Sequence, residues 1–246
     1  MVTSERGEFA YAPPSSVTGD RIVLGDDEAH HLFRVRRVRV GEKVYASTGE
    51  GDVYGCVVAA DHTLQIHQRL ENFGEPTVFL SLGMAGLKGD MNRDVVDLAT
   101  QLGVREILFF QGERSEGRLT EERIERLRRT ALTAVKQCGR AWLPKIQHFK
   151  DLAALLSRLP GGAKVFMANP VDSSVSIGHA PGSISQAVLL VGPEGGFTEH
   201  EFNSAMQAGA ANLHLGDRRL RSELAAAAGL SFLLTAAADF RERHDG

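Results

Sequence analysis

The sequence predicts an α/β protein in which a small β-rich module precedes an open, mostly parallel sheet covered by helices on both faces. Three observations lead there. From Thr77 onward, short apolar runs alternate with amphipathic segments, as repeated strand–helix units require. Residues 20 to 70 instead read as several short strands separated by turns. The third is the stretch Ala187 to Phe202, in which five apolar residues run into Gly192-Pro193-Glu194-Gly195-Gly196 and then Thr198-Glu199-His200-Glu201. The run suits one buried strand, the glycines free the backbone for close approach of a ligand, and Thr198 with Glu201 forms a capping-box pattern. Strand, glycine-rich loop and capped helix is how α/β proteins build a pocket beyond a strand's carboxyl end. An ordinary strand–helix turn is the competing reading.

In the N-terminal module, Arg21 to Leu24 is a short strand. Asp26 is the expected N-cap of the segment running to Val38. Val44 to Ser47 and Val53 to Ala59 flank the hairpin turn Gly49-Glu50-Gly51-Asp52, and Leu64, Ile66 and Gln68 alternate as a half-buried strand does. Leu70 to Pro76, with Asn72 and Gly74, reads as a linker, which sets the expected domains at 1–72 and 73–246. Beyond it, Thr77 to Leu82 is a strand. Met91, Val95, Leu98, Ala99 and Leu102 then mark one helical face that Gly103 terminates. Glu106 to Phe110 is a strand, and Thr120 caps a helix with Ile124, Leu127, Ala131, Ala134, Val135 and Cys138 on its apolar side. Lys145 to Phe149 is a strand, followed by a helix capped by Asp151 and ended by Pro160. Lys164 to Ala168, Ala187 to Val191 and Asn212 to Leu215 complete the sheet. Ser222 caps the last helix, whose apolar residues from Leu224 to Leu234 leave no clear polar face and predict burial.

Composition narrows the function classes. The 246 residues suit one large or two modest domains, and 43% hydrophobic with 24% charged residues is ordinary for a soluble globular chain. A net charge of −3 means that any nucleic-acid contact must come from local basic patches. Two cysteines, Cys56 and Cys138, fit neither a disulfide framework nor a zinc site, and the nine histidines contain no HExxH. No charged-then-apolar leader opens the sequence, and the apolar run Leu224 to Ala238 is too short to span a bilayer. The expectation is a cytoplasmic, soluble protein without metal or membrane partners. No GxGxxG opens a helix, no GxxxxGK[ST] occurs, since Gly89 stands where Ser or Thr is needed, and no GxSxG marks a nucleophile.

Two loops and one cluster remain as candidates. The first loop is Gly192 to Gly196; the second is Leu215-Gly216-Asp217-Arg218-Arg219-Leu220-Arg221-Ser222-Glu223. Main-chain groups of such loops can hold a small cofactor. Arg221 and Glu223 offer positive potential and a proton acceptor, or else are a surface charge and a helix-dipole partner. The cluster is Arg34, Arg36, Arg37, Arg39 and Lys43, read either as a solvated face or as a contact for RNA phosphates.

The pair LLVGPEGGFTEHEF and LGDRRLRSELA resembles the paired loops of the ribosomal small-subunit methyltransferase E family. Leu87-Lys88-Gly89-Asp90, Ala99 to Val104, Lys136-Gln137-Cys138-Gly139-Arg140 and His31 to Arg37 before Val40-Gly41-Glu42 follow in the family's order, so the likeness covers nearly the whole chain. It implies a PUA-like β-barrel, then a SPOUT-type domain with a C-terminal trefoil knot, paired as a homodimer. It implies methylation of N3 of one uridine in 16S rRNA, within the small ribosomal subunit, from S-adenosylmethionine. Leu190, Gly192, Pro193, Glu194, Gly195, Gly196, Leu215, Gly216 and Leu220 would then hold the cofactor. Arg221, Glu223 and Glu194 would be catalytic, and Lys136 and Arg140 would join the Arg34–Lys43 cluster on the RNA backbone. The chain departs from the family pattern at Leu98 and Gln101, where a Lys and a Glu are usual. It departs again at Ser222-Glu223-Leu224, where Thr-Glu-Thr is usual. Those departures keep two rivals open: a non-catalytic RNA-binding assembly factor on the same fold, and a related methyltransferase acting on another RNA position.

Overall fold

The computed structural model describes residues 7–169 and 184–242, with side chains up to Ala237. It comprises two compact units, Met1–Glu75 with Leu132–Leu143, and Pro76–Ala131 with Pro144–Gly246.

The first unit is built on a six-stranded sheet. Its strands are β1 (Glu8–Tyr11), β2 (Val17–Thr18), β3 (Arg21–Ile22), β4 (Lys43–Ser47), β5 (Asp52–Val58) and β6 (Leu64–Glu71), in the order β1-β4-β5-β6-β3-β2. All pairings are antiparallel except β1 with β4. The alternation of β5 changes phase at a register shift between Gly55 and Cys56, so Val53 lies inward before it and Cys56 and Val58 after it. Ile22, Leu32, Val44, Ala46, Val58 and Leu64 form the core. Three expectations change here. Asp26 is the first residue of α1 (Asp26–His30), and Gly25 is the N-cap, with no side-chain capping bond. Arg21–Ile22 is all that pairs of the strand expected to reach Leu24. Leu70 to Pro76 is no free linker: β6 runs to Glu71, and the Glu75 carboxylate accepts from the N–H groups of Ala141 and Trp142 at 2.9 and 3.0 Å.

In the second unit six parallel strands lie in the order β12-β10-β11-β7-β8-β9. They are β7 (Phe79–Ala85), β8 (Glu106–Phe110), β9 (Lys145–Phe149), β10 (Lys164–Ala168), β11 (Gln186–Val191) and β12 (Ala211–Leu213). The helices are α2 (Met91–Gln101), α3 (Glu121–Cys138, which belongs to the first unit from Leu132 on), α4 (Leu152–Leu156), α5 (Glu199–Gln207) and α6 (Ser222–Glu242). Consecutive residues of β7 and β11 are buried, which only a sheet covered on both faces allows. On one face Val188 and Leu190 pack with Leu152, Leu155 and Ala205. On the other, Gly229 of α6 meets Leu189 so closely that an added Cβ would lie 2.7 Å from it. The strand order reverses between β11 and β7, where α/β sheets open a crevice at their carboxyl edge.

The caps at Thr120, Asp151 and Thr198 form as the sequence predicts. Gly103, at φ 82°, ends α2 in the conformation glycine tolerates. Other boundaries move. The fourth helix ends at Leu156, before Pro160, and β12 ends at Leu213. Ser222 is the first residue of α6, because the Arg221 carbonyl accepts from the Ala225 N–H; Arg221 occupies the cap position. That helix also buries one face only: Ala226, Leu230 and Leu233 are inside, while Leu224 and Phe232 are 53% and 43% exposed.

Candidate active site

The first loop leaves β11 at Val191 and enters α5 through its capping box. Thr198 Oγ1 accepts from the Glu201 N–H at 3.1 Å, and the Glu201 carboxylate accepts from the Thr198 N–H at 2.9 Å. Its other oxygen accepts from the Glu113 N–H at 3.0 Å, fastening the β8–α3 loop to the same corner. Glu201 is buried, so those two bonds satisfy a carboxylate that would otherwise be costly inside. Gly192 is favoured by proximity, since a Cβ there would sit a tight 3.1 Å from the Phe197 ring, and Gly196 by its φ of 71°. Two arginines from elsewhere hold the loop's carbonyls. Arg114 donates to Gly195 and Phe197 at 3.0 and 3.2 Å, and Arg219 of the second loop donates to Glu194 at 2.7 Å.

Between the two loops lies a cavity of about 790 Å³. Gly192, Pro193, Glu194, Gly195, Gly196, Leu215, Gly216, Leu220, Arg221 and Glu223 all line it, as the sequence leads one to expect. Leu190 does not. Its side chain is buried in the core against Gly83, because alternation along β11 puts it on the sheet face packed by Leu152, Leu155 and Ala205. Lys88, Met91, Arg114 and Asn169 also line the cavity; Lys88 sits in a motif the sequence flags without a site role, and the other three escape a reading by motif. Asn169 and Lys88 follow the neighbouring strands β10 and β7, so the carboxyl-edge rule carries a signal for them. Arg114 has none. Val191, Phe197 and Leu213 make an apolar wall, while Glu194 Oε1 and Glu223 Oε2 are buried without a hydrogen-bond partner among the described residues. A cavity of this kind accepts a ligand with an apolar body and several hydrogen-bond donors. Leu98, Gln101 and Leu224 are not among the lining residues.

The basic cluster in the first unit is only partly available. Arg34, Arg37, Arg39 and Lys43 are exposed. Arg36 forks onto the Glu8 carboxylate, with Nε at 2.7 Å. Lys136 donates to Glu28 at 2.5 Å, both groups mostly buried. Arg140, 2% exposed, grips Glu75 through Nε at 3.0 Å and Nη2 at 2.7 Å. The expectation that Arg140 meets RNA phosphate is therefore corrected: a guanidinium so enclosed is out of reach of a phosphate. Lys136 is likewise occupied by an internal carboxylate.

Among the described residues no three His, Cys, Asp or Glu side chains gather as metal ligands. Burial pushes the Cys56 thiol up to about 12 and raises that of Cys138, so neither is a thiolate nucleophile at neutral pH. No helix among the described residues is long and apolar enough to cross a membrane.

Comparison with known proteins places this geometry. Residues 75–234 match the family model described as an RNA methyltransferase domain, and residues 19–67 match an RNA methyltransferase PUA domain. The chain belongs to the RNA methyltransferase family. Its methyltransferase domain holds both loops and the whole cavity. The ribosomal RNA small subunit methyltransferase E of Mycobacterium bovis is 28% identical over 224 residues, 87% of this chain and 86% of its own. The protein of the same name from Bacillus subtilis is 28% identical over 238 residues, 89% of each. The Neisseria gonorrhoeae enzyme of that name, solved with S-adenosylmethionine bound, superposes with a TM-score of 0.82 at 25% identity. That match covers 93% of this chain and 97% of that one. The resemblance read from the two loops is thus borne out at the level of the family, and the PUA-like N-terminal module with it.

Proposed function

We propose that the chain methylates N3 of one uridine in 16S rRNA of the small ribosomal subunit, using S-adenosylmethionine. The observation that carries this reading is the cavity between the two loops, with carboxylate oxygens of Glu194 and Glu223 left without partners among the described residues. The cofactor's amino and hydroxyl groups are the donors such oxygens need, and its adenine suits the apolar wall of Val191, Phe197 and Leu213. Gly192 to Gly196, with Leu215, Gly216 and Leu220, would hold it. When bound, it supplies an electrophilic methyl group on a sulfonium.

The residues of the chain then have three tasks. The loops fix the direction from which the uracil must approach, and positioning of this kind supplies about 7–11 kcal/mol. Glu223 or Glu194 takes the proton that leaves N3, a contribution of about 10²–10⁴-fold. Arg221, exposed at the cavity rim, balances the negative charge that this leaves on the uracil carbonyl oxygens. The target base is drawn out of its stack to reach the cavity, and Arg34, Arg37, Arg39 and Lys43 engage the backbone through phosphate. Leu98, Gln101 and Leu224 lie off the cavity, and Ser222, which lines it, keeps the hydroxyl of the usual Thr, which favours turnover over an inactive relic.

Two further parts belong to the same reading. The exposed apolar residues Leu224 and Phe232 of α6 suit pairing with a second copy, and the likeness to the family supports C-terminal loops threaded as a trefoil knot. An enzyme of ribosomal RNA works in the cytoplasm, where its substrate is assembled. Mass spectrometry of 16S rRNA nucleosides tests the proposal. Deleting the gene removes one 3-methyluridine per 16S rRNA; an unchanged nucleoside profile contradicts it.

A further inference from the structure

Beside the cavity lies a second recess, of about 420 Å³, lined by Lys88, Glu116, Gly117, Arg118, Thr120 and Arg123 among others. Three of these side chains are cations and one is a carboxylate. Lys88 Nζ lies 3.1 Å from Glu116, so that pair is close to neutral and Arg118 and Arg123 leave the recess positive. Arg123 donates to the Arg118 carbonyl at 3.0 Å, whereas the Arg118 guanidinium has no partner among the described residues. Both arginines are exposed to solvent.

One part of the recess, at Gly117, is fixed by backbone packing, while its charged side chains are exposed. A Cβ on Gly117 would lie 2.1 Å from the Leu87 carbonyl oxygen, so the β8–α3 and β7–α2 loops touch where only glycine fits. Buried Asn92 fixes the other side of that contact, accepting from the Leu87 N–H at 3.0 Å and donating to its carbonyl at 2.7 Å. Lys88 follows directly and lines both the recess and the main cavity.

We propose that this recess receives a phosphate of the RNA strand next to the target nucleotide. The inference rests on the methyltransferase reading of the main cavity. A nucleotide carries its base and its phosphate on opposite sides of the ribose, so a base in the cavity leaves its backbone at a neighbouring subsite. Lys88 stands on the border between the two. A guanidinium matches phosphate oxygens two at a time, and the recess has no aromatic platform on which a base would stack. It therefore holds backbone and positions the strand without reading its sequence.

The test is binding of a 16S rRNA transcript by the full chain over a range of salt concentrations. Arg118→Ala should lower the slope of log K against log salt by about 0.7–0.9, the loss of one phosphate. Arg118→Lys should keep the slope near that of the parent protein, since the charge remains. S-adenosylmethionine affinity, measured on the same preparations, should be equal in all three. A parent-like slope and RNA affinity in Arg118→Ala overturns the recess as a phosphate site. The salt slope is read without turnover, so a parent protein that fails to bind the cofactor would count against the enzyme reading and leave this result to be judged by itself.

Discussion

The cavity of the second unit and the basic cluster of the first treat their charged groups in opposite ways. Around the cavity, Glu194 and Glu223 each keep a buried oxygen with no partner among the described residues. In the first unit, Lys136 and Arg140 are answered by Glu28 and Glu75. A buried acceptor left unsatisfied costs about 1–3 kcal/mol, a cost that a bound ligand removes. A cation enclosed with its own carboxylate serves the fold instead. The type of charge in a sequence therefore does not establish its availability; its partner does.

Disrupting the enclosed pair should have the largest effect on the fold. Arg140→Ala strands the Glu75 carboxylate, both side chains being only 3% exposed, and should cost about 3–5 kcal/mol of stability in urea unfolding. The salt slope for RNA binding should not move. A stable variant with a flattened slope would return Arg140 to the RNA surface. At the cavity, Arg221→Ala should lower methyl transfer to small subunits lacking the modification by about 10²–10³-fold. Arg221→Lys should recover only part, because an ammonium lacks the planar fork. Unfolding should be unaffected, since the side chain is exposed and contributes little to stability. Near-parental rates would remove Arg221 from the chemistry.

Two smaller effects bear on the same contrast. Replacing Arg34, Arg37 and Arg39 together by Ala should flatten the salt slope by about 0.7–0.9 for each phosphate no longer neutralised, with cofactor affinity unchanged. Lys136→Ala should leave the slope as it was. A slope lowered equally by both would mean that the internal pairing of Lys136 does not withhold it. Arg114→Ala frees the Gly195 and Phe197 carbonyls, and at about 1 kcal/mol should weaken S-adenosylmethionine about fivefold in a calorimetric titration. Parental affinity would mean that the first loop holds its shape without the clamp.

How far the sequence is legible follows the range of the interactions. The capping box of Thr198 and Glu201 is complete within four residues and can be read directly. The central parallel strands β7 and β11, buried on both faces, announce themselves as apolar runs. Glycines of the first loop can be read as a close-approach site, although the partner of Gly192, the Phe197 ring, only appears in the structure. Leu190 is misplaced by the motif because membership of a motif does not tell which way a strand residue faces. Arg140 is misplaced because its partner Glu75 is 65 residues away. Arg114 acts on carbonyls 81 and 83 residues distant and has no local signature. The outer face of α6 reads as buried because its residues are apolar, a pattern that does not distinguish a core from a surface awaiting a partner.

If the cavity between the two loops is a cofactor site, S-adenosylmethionine must bind to the purified chain by itself. Calorimetric titration of the cofactor, with a chelator present, measures this without RNA or turnover. Saturable binding of one cofactor per chain, undiminished by the chelator, is the expected result. A folded protein that gives no binding at cofactor concentrations up to the millimolar range would contradict it.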